Sequence, residues 1–153
     1  MKVYSISIGD GRTTEELVAA AKYGYCHSQV ISDNFPARAF KGKTVREIVL
    51  LSFDHALLSE EATAEAAKRG LERPFYEDAL YFGIDYPEVQ LAGPVAFLHD
   101  PWLGNHGRRD IICLWNNAGR RELGLEGFDD LWPPNYRLAF VRGATPGSQG
   151  SSD

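Results

Sequence analysis

Trp102, Ile111-Ile112-Cys113-Leu114-Trp115, Arg120-Arg121-Glu122-Leu123-Gly124-Leu125 and Trp132-Pro133-Pro134-Asn135-Tyr136-Arg137-Leu138-Ala139-Phe140-Val141-Arg142 follow one another late in the chain. Short β-prone runs alternate here with Gly, Asn and Pro breaks, which is the pattern of a small antiparallel sheet. All three tryptophans of the protein fall in this stretch. Trp is large and carries a polar N–H, so the cluster marks either a packed core edge or a recognition surface.

Working outward, Pro94-Val95-Ala96-Phe97-Leu98 opens the β-rich half. A loop over 99–110, a strand over 110–115, a turn at Asn116-Asn117-Ala118-Gly119, a strand over 120–125 and a last strand over 136–142 complete it. Upstream, residues 2–8 alternate as a half-buried strand, and Thr13 with Glu16 forms a capping box for a helix that Gly24 stops. Residues 25–40 are irregular, with room for a short strand at 29–31. Val45–Phe53 reads as a central strand, apolar on both faces in its middle. Ser59 is placed to cap a second helix ending at Lys68-Arg69-Gly70, and 74–83 reads as a third, with Pro74 at its start and Gly83 at its end. The fold class is therefore α+β. It has an N-terminal strand and helix, a central strand, two helices and a small antiparallel sheet, within one domain over 1–142 and a Gly/Ser-rich tail over 143–153.

At 153 residues, with 44% hydrophobic and 24% charged content, the chain has the composition of an ordinary globular domain. No window approaches the ~18 consecutive apolar residues of a membrane span. The first ten residues lack the apolar core of a secretory leader, so the expected location is cytoplasmic. A net charge of −5 argues against nucleic-acid and membrane-surface partners. Every lysine lies at or before Lys68; beyond it the cations are arginines, including the pairs Arg108-Arg109 and Arg120-Arg121. Cys26 and Cys113 sit in no metal or redox spacing and read as free buried thiols, with a disulfide between them left open.

No phosphate-binding Gly loop, HExxH, paired CxxC or GxSxG appears, and no cofactor or metal is expected. The loop from His99-Asp100-Pro101-Trp102 to His106-Gly107-Arg108-Arg109 is densest in functional groups. Trp102, His106, Arg108, Arg109 and Trp132 form the candidate ligand-binding set, because aromatic and Arg side chains dominate interface energetics. Asp54-His55 and His99-Asp100 are the candidate catalytic pairs, each an imidazole beside a carboxylate. Cys26-His27 invites a thiolate–imidazole reading, yet neighbours on an extended chain point to opposite sides. Glu126, Asp129 and Asp130 are an acidic loop with too few oxygens in frame for calcium.

The order of several motifs resembles an uncharacterised family of small bacterial hypothetical proteins. It is carried by Arg69-Gly70-Leu71, Arg73-Pro74, Glu77-Asp78-Ala79-Leu80, Tyr86-Pro87-Glu88-Val89-Gln90, Pro94–Leu98, Cys113-Leu114-Trp115 and Tyr136–Arg142. Phe75-Tyr76 and His99-Asp100 depart from the family pattern, and the resemblance implies no activity. A fainter likeness joins the Arg73-Pro74 helix entry and the terminal strand to C-type-lectin-like domains, implying a helix before a small Trp-bearing sheet. The function expected is a non-enzymatic binding or interaction module for a protein or small molecule. The alternative is a small hydrolase or transferase using a His/carboxylate pair.

Overall fold

The computed structural model describes residues 2–38, 40, 42–104 and 106–143; all but the first residue of the expected tail lies outside them. The order is β1 (Val3–Ile8), α1 (Thr14–Ala21), β2 (Tyr25–Cys26), β3 (Thr44–Leu51), α2 (Ser59–Lys68), β4 (Leu71–Glu72) and α3 (Tyr76–Asp85). A 3₁₀ turn (Val89–Ala92) leads to β5 (Val95–Phe97), β6 (Trp102–Leu103), β7 (Arg109–Asn117), β8 (Arg120–Gly127) and β9 (Arg137–Arg142). The α+β class holds, but the late strands are not a small antiparallel sheet apart. All nine described strands join one mixed sheet in the order β1-β3-β9-β5-β7-β8-β2, with β4 on β9 and β6 on β7. β9 runs antiparallel to β3 and parallel to β5, so the C-terminal strand lies inside the sheet.

The apolar runs are continuous because both faces of this sheet are covered. Val95, Phe97, Ile112, Leu114, Ala139 and Val141 pack into one core with Leu17 of α1 and Leu80 and Phe82 of α3. Their neighbours Ala96, Leu98, Ile111, Cys113, Leu138 and Phe140 turn the other way, into a second core with Ala62 and Ala66 of α2. Side chains alternate along a strand, so each run supplies both cores. Cys113 belongs to the second core whereas Cys26 packs against the first, and both thiols are free.

Local signals explain the helices, with some shifts from expectation. The Thr13–Glu16 capping box forms, but Lys22, at φ 56°, makes the left-handed exit expected of Gly24. Ser59 is the first residue of α2 rather than its cap: its hydroxyl donates to the Phe128 carbonyl at 2.6 Å and accepts the Trp132 indole N–H at 2.8 Å. The β7–β8 hairpin turns on Ala118 (φ 52°) and Gly119 (φ 90°), the conformation that two-residue hairpin loops require. The strand expected at 29–31 is instead β2, four residues earlier.

Gly83 lies inside α3 rather than ending it, because Tyr23 rests on it. A Cβ there would meet the Tyr23 Oη at 1.8 Å. Arg121 closes the arrangement by donating to the Ala21 and Gly83 carbonyls, with its guanidinium 4.6 Å from the Tyr23 ring centroid. Gly83→Ala is therefore expected to cost about 1–3 kcal/mol in urea denaturation. Adding Tyr23→Phe is expected to recover part of that loss; equal losses in the single and double variants would refute the contact.

Candidate functional site

The sheet divides the five candidate binding residues between its faces. Trp102, His106 and Arg108 line one cleft of about 250 Å³ together with His27, Asp110 and Leu125. Trp102 is half-buried, its ring 5.6 Å from that of Phe35, and it lies across Gly104, where a Cβ would sit 3.3 Å from the indole. Arg108 donates from Nε to Asp110 at 2.6 Å; among the described residues its Nη nitrogens find no acceptor. His27, just past β2, accepts the Gln29 N–H at Nδ1 over 3.1 Å. The cleft thus offers an aromatic plane, one guanidinium and two imidazoles, with the Asp110 carboxylate already held by Arg108.

Arg109 and Trp132 do not belong to this cleft. Arg109 pairs with Asp129 and stands 5.0 Å over the Phe128 ring, whose side chain is in the second core. Trp132 is 3% exposed; its indole is tied to Ser59 and its ring lies 5.2 Å from Tyr136. Consecutive β-residues point to opposite faces, so Arg108-Arg109 could not act as one binding pair. Trp132 is a pin between α2 and the sheet.

The catalytic candidates also separate. His99 is 1% exposed, and both ring nitrogens are used. Nδ1 donates to the Asp100 carbonyl at 2.7 Å and Nε2 accepts the Ile112 N–H at 3.0 Å. An imidazole so bound has no free nitrogen for a substrate, and the Asp100 carboxylate is not its partner. Burial lowers its pKa from 6.5 to about 4. His55 is different: Nδ1 meets Asp54 Oδ1 at 2.7 Å, leaving Nε2 open, in a groove of about 770 Å³ that Ser52, Glu61 and Arg69 also line. Asp54 is 97% exposed, however, so water screens the pair.

Cys26 and His27 form no nucleophile–base pair. Burial pushes the Cys26 thiol up, away from thiolate, and the His27 Nδ1 is taken by Gln29. The acidic loop is dispersed too, with Glu126 in β8 and Asp129 on Arg109. Among the described residues, no group of three or more His, Cys, Asp or Glu is placed to hold a metal ion. Among the described residues, no helix is long and apolar enough to cross a membrane. Sequence reading missed His27, Asp110 and Leu125 as cleft residues; what could have exposed them is the β7–β8 register, which sets Asp110 opposite Gly127. No family model matches the chain, and neither a curated protein nor a solved structure matches it.

The two nitrogens of His99 also set a pH dependence. Its folded pKa is depressed below the unfolded value, so its contribution is present above pH 6.5 and is lost as pH falls through about 4. The full loss amounts to about 3 kcal/mol. Urea denaturation from pH 7 to 4 is expected to show a steeper decline for wild type than for His99→Gln, and parallel profiles would contradict the assignment.

Proposed function

We propose that the protein is a non-enzymatic binding module whose ligand is a small molecule with a planar apolar body and an anionic group. The observation that carries this reading is the meeting of Trp102, His106 and Arg108 in one cleft, with His27 on its wall. An indole face receives a ring, and a guanidinium with free Nη nitrogens receives a carboxylate or phosphate. At about 250 Å³ the cleft lies near the small end of ligand pockets, which run from about 300 Å³. That size favours a compact ligand over a protein surface, which would need an interface of about 800 Å² per partner.

The resemblance to small bacterial hypothetical proteins belongs to this proposal as a family membership without an activity. The likeness to C-type-lectin-like domains enters it as an arrangement: α3 precedes the antiparallel β7–β8 pair bearing Trp115, and the chain closes on a Tyr-Arg-Leu-Ala-Phe-Val-Arg run. The interior position of β9, parallel to β5, is what that likeness must accommodate.

The second reading, hydrolase or transferase chemistry, rests on the 2.7 Å His55–Asp54 contact in its groove. A general base works best where water is excluded and a nucleophile is in reach. The exposure of both side chains, 65% and 97%, places the binding reading first.

Isothermal titration with 2-naphthoate, phenyl phosphate and the neutral 2-naphthamide tests the proposal. Either anion is expected to bind, the amide at least tenfold more weakly, and Arg108→Met and Trp102→Leu are each expected to weaken the anion about tenfold. No binding of either anion, or equal binding by Arg108→Met, would overturn it. Turnover of p-nitrophenyl esters that is abolished by His55→Ala would favour the second reading instead.

A further inference from the structure

On the opposite rim, beside the end strand β1, a cleft of about 420 Å³ is lined by two acids, Asp10 and Asp85, and two bases, Arg12 and Lys43. Asp10 is fully engaged. It accepts the Tyr81 hydroxyl at 2.7 Å, the Arg12 N–H at 3.1 Å and the Arg12 guanidinium at 2.9 and 2.8 Å. Its carboxyl is held down to about 2 by Arg12 first, with the Tyr81 hydrogen bond adding to it. Asp10 and Arg12 therefore form one ion pair, and both also act on Asp85 through space.

Asp85 is in the opposite condition. It is the last residue of α3, at the negative end of the helix, and no basic residue lies in that last turn. Among the described residues its carboxylate has neither a hydrogen-bond donor nor an ion-pair partner. Partial desolvation pushes its proton affinity up; the Arg12 guanidinium opposes this and the ionised Asp10 adds to it, with the net shift upward. The helix end, partial desolvation and Asp10 together outweigh Arg12 in disfavouring the charge of this exposed side chain, and a cation placed at Asp85 would relieve them. The same cleft is lined by Lys43, which among the described residues has no carboxylate partner, and by the exposed Ser7 of β1.

We propose that this cleft binds a small zwitterion, a free amino acid, with its ammonium on Asp85 and its carboxylate on Lys43 and Ser7. One unpaired charge of each sign selects a ligand that carries both, and rejects an amine or an acid that carries one. The site is separate from the Trp102 cleft and stands or falls without it. A carboxylate kept where its charge is disfavoured is also a stability–function compromise, because replacing it should strengthen the empty protein.

The test is calorimetric titration of the whole protein with L-alanine, L-leucine and L-glutamine, and with the N-acetyl and amide derivatives of each. At least one free amino acid is expected to bind saturably, with both of its derivatives at least tenfold weaker. Asp85→Asn is expected to raise the melting temperature of the ligand-free protein while weakening that amino acid at least tenfold, and Lys43→Met is expected to weaken it similarly. Failure of all three amino acids to bind, equal binding of the blocked derivatives, or wild-type affinity in Asp85→Asn would overturn the proposal. A lower melting temperature in Asp85→Asn would overturn the electrostatic argument beneath it.

Discussion

Two adjacent buried carboxylates fix α3 on the sheet, and the geometry of the molecule depends on that seat. Glu77 and Asp78 are 1% and 0% exposed, yet each is gripped by an arginine from another element. Arg38 donates to Glu77 from its side chain at 2.7 and 2.6 Å and from its own backbone N–H at 3.0 Å. Arg46 of β3 spans both oxygens of Asp78 at 3.1 and 2.9 Å, while Asp78 also accepts the Phe75 N–H that opens the helix. The Arg46 guanidinium lies 4.0 Å over the Phe75 ring. Buried charges at a helix N-terminus are tolerable because the dipole and a bidentate partner both favour them. Breaking such a pair would strand a charge in the core, which costs about 3–5 kcal/mol.

With its first turn clamped to β3, α3 lays Leu80 and Phe82 on the sheet and brings Tyr81 and Asp85 to the edge beside β1. The helix thus builds one wall of the zwitterion cleft. The other cleft forms at the far side of the same face, where β2 ends after two residues and the chain leaves β8 uncovered beyond the His27 N–H to Leu123 bond. Because both faces of the middle strands are consumed by packing, polar chemistry is left to the rims. His99 illustrates the rule: a candidate base that falls in the middle of the layers becomes a two-sided hydrogen-bond bridge between the 99–100 turn and β7.

Much of the fold was legible in the chain. The Thr13–Glu16 box and the Asn116–Gly119 turn are local signals, and local physics decided them; the second helix was placed correctly, but Ser59 begins it instead of capping it. The mixed sheet was not legible, since nothing in Tyr136–Arg142 says that β9 inserts between β3 and β5; that order rests on pairings distant in sequence. The tryptophan cluster misled for a related reason. Trp102 lies in the short strand β6 and Trp132 in a single bridge to Leu57, and their places in the sheet send one to a cleft and the other to a buried hydroxyl. Proximity along the chain carried no information about face. Gly83 was read as a helix stop because close packing by a distant Tyr23 leaves no mark on its own neighbours.

The central claim is that the two outer tryptophans have opposite roles, Trp102 as ligand platform and Trp132 as structural pin. Each carries an indole N–H that ¹H–¹⁵N correlation spectra resolve. During titration with 2-naphthoate the Trp102 indole signal is predicted to move saturably while the Trp132 signal, bonded to Ser59, stays within line width. A saturable shift of Trp132 with Trp102 unmoved would contradict the account.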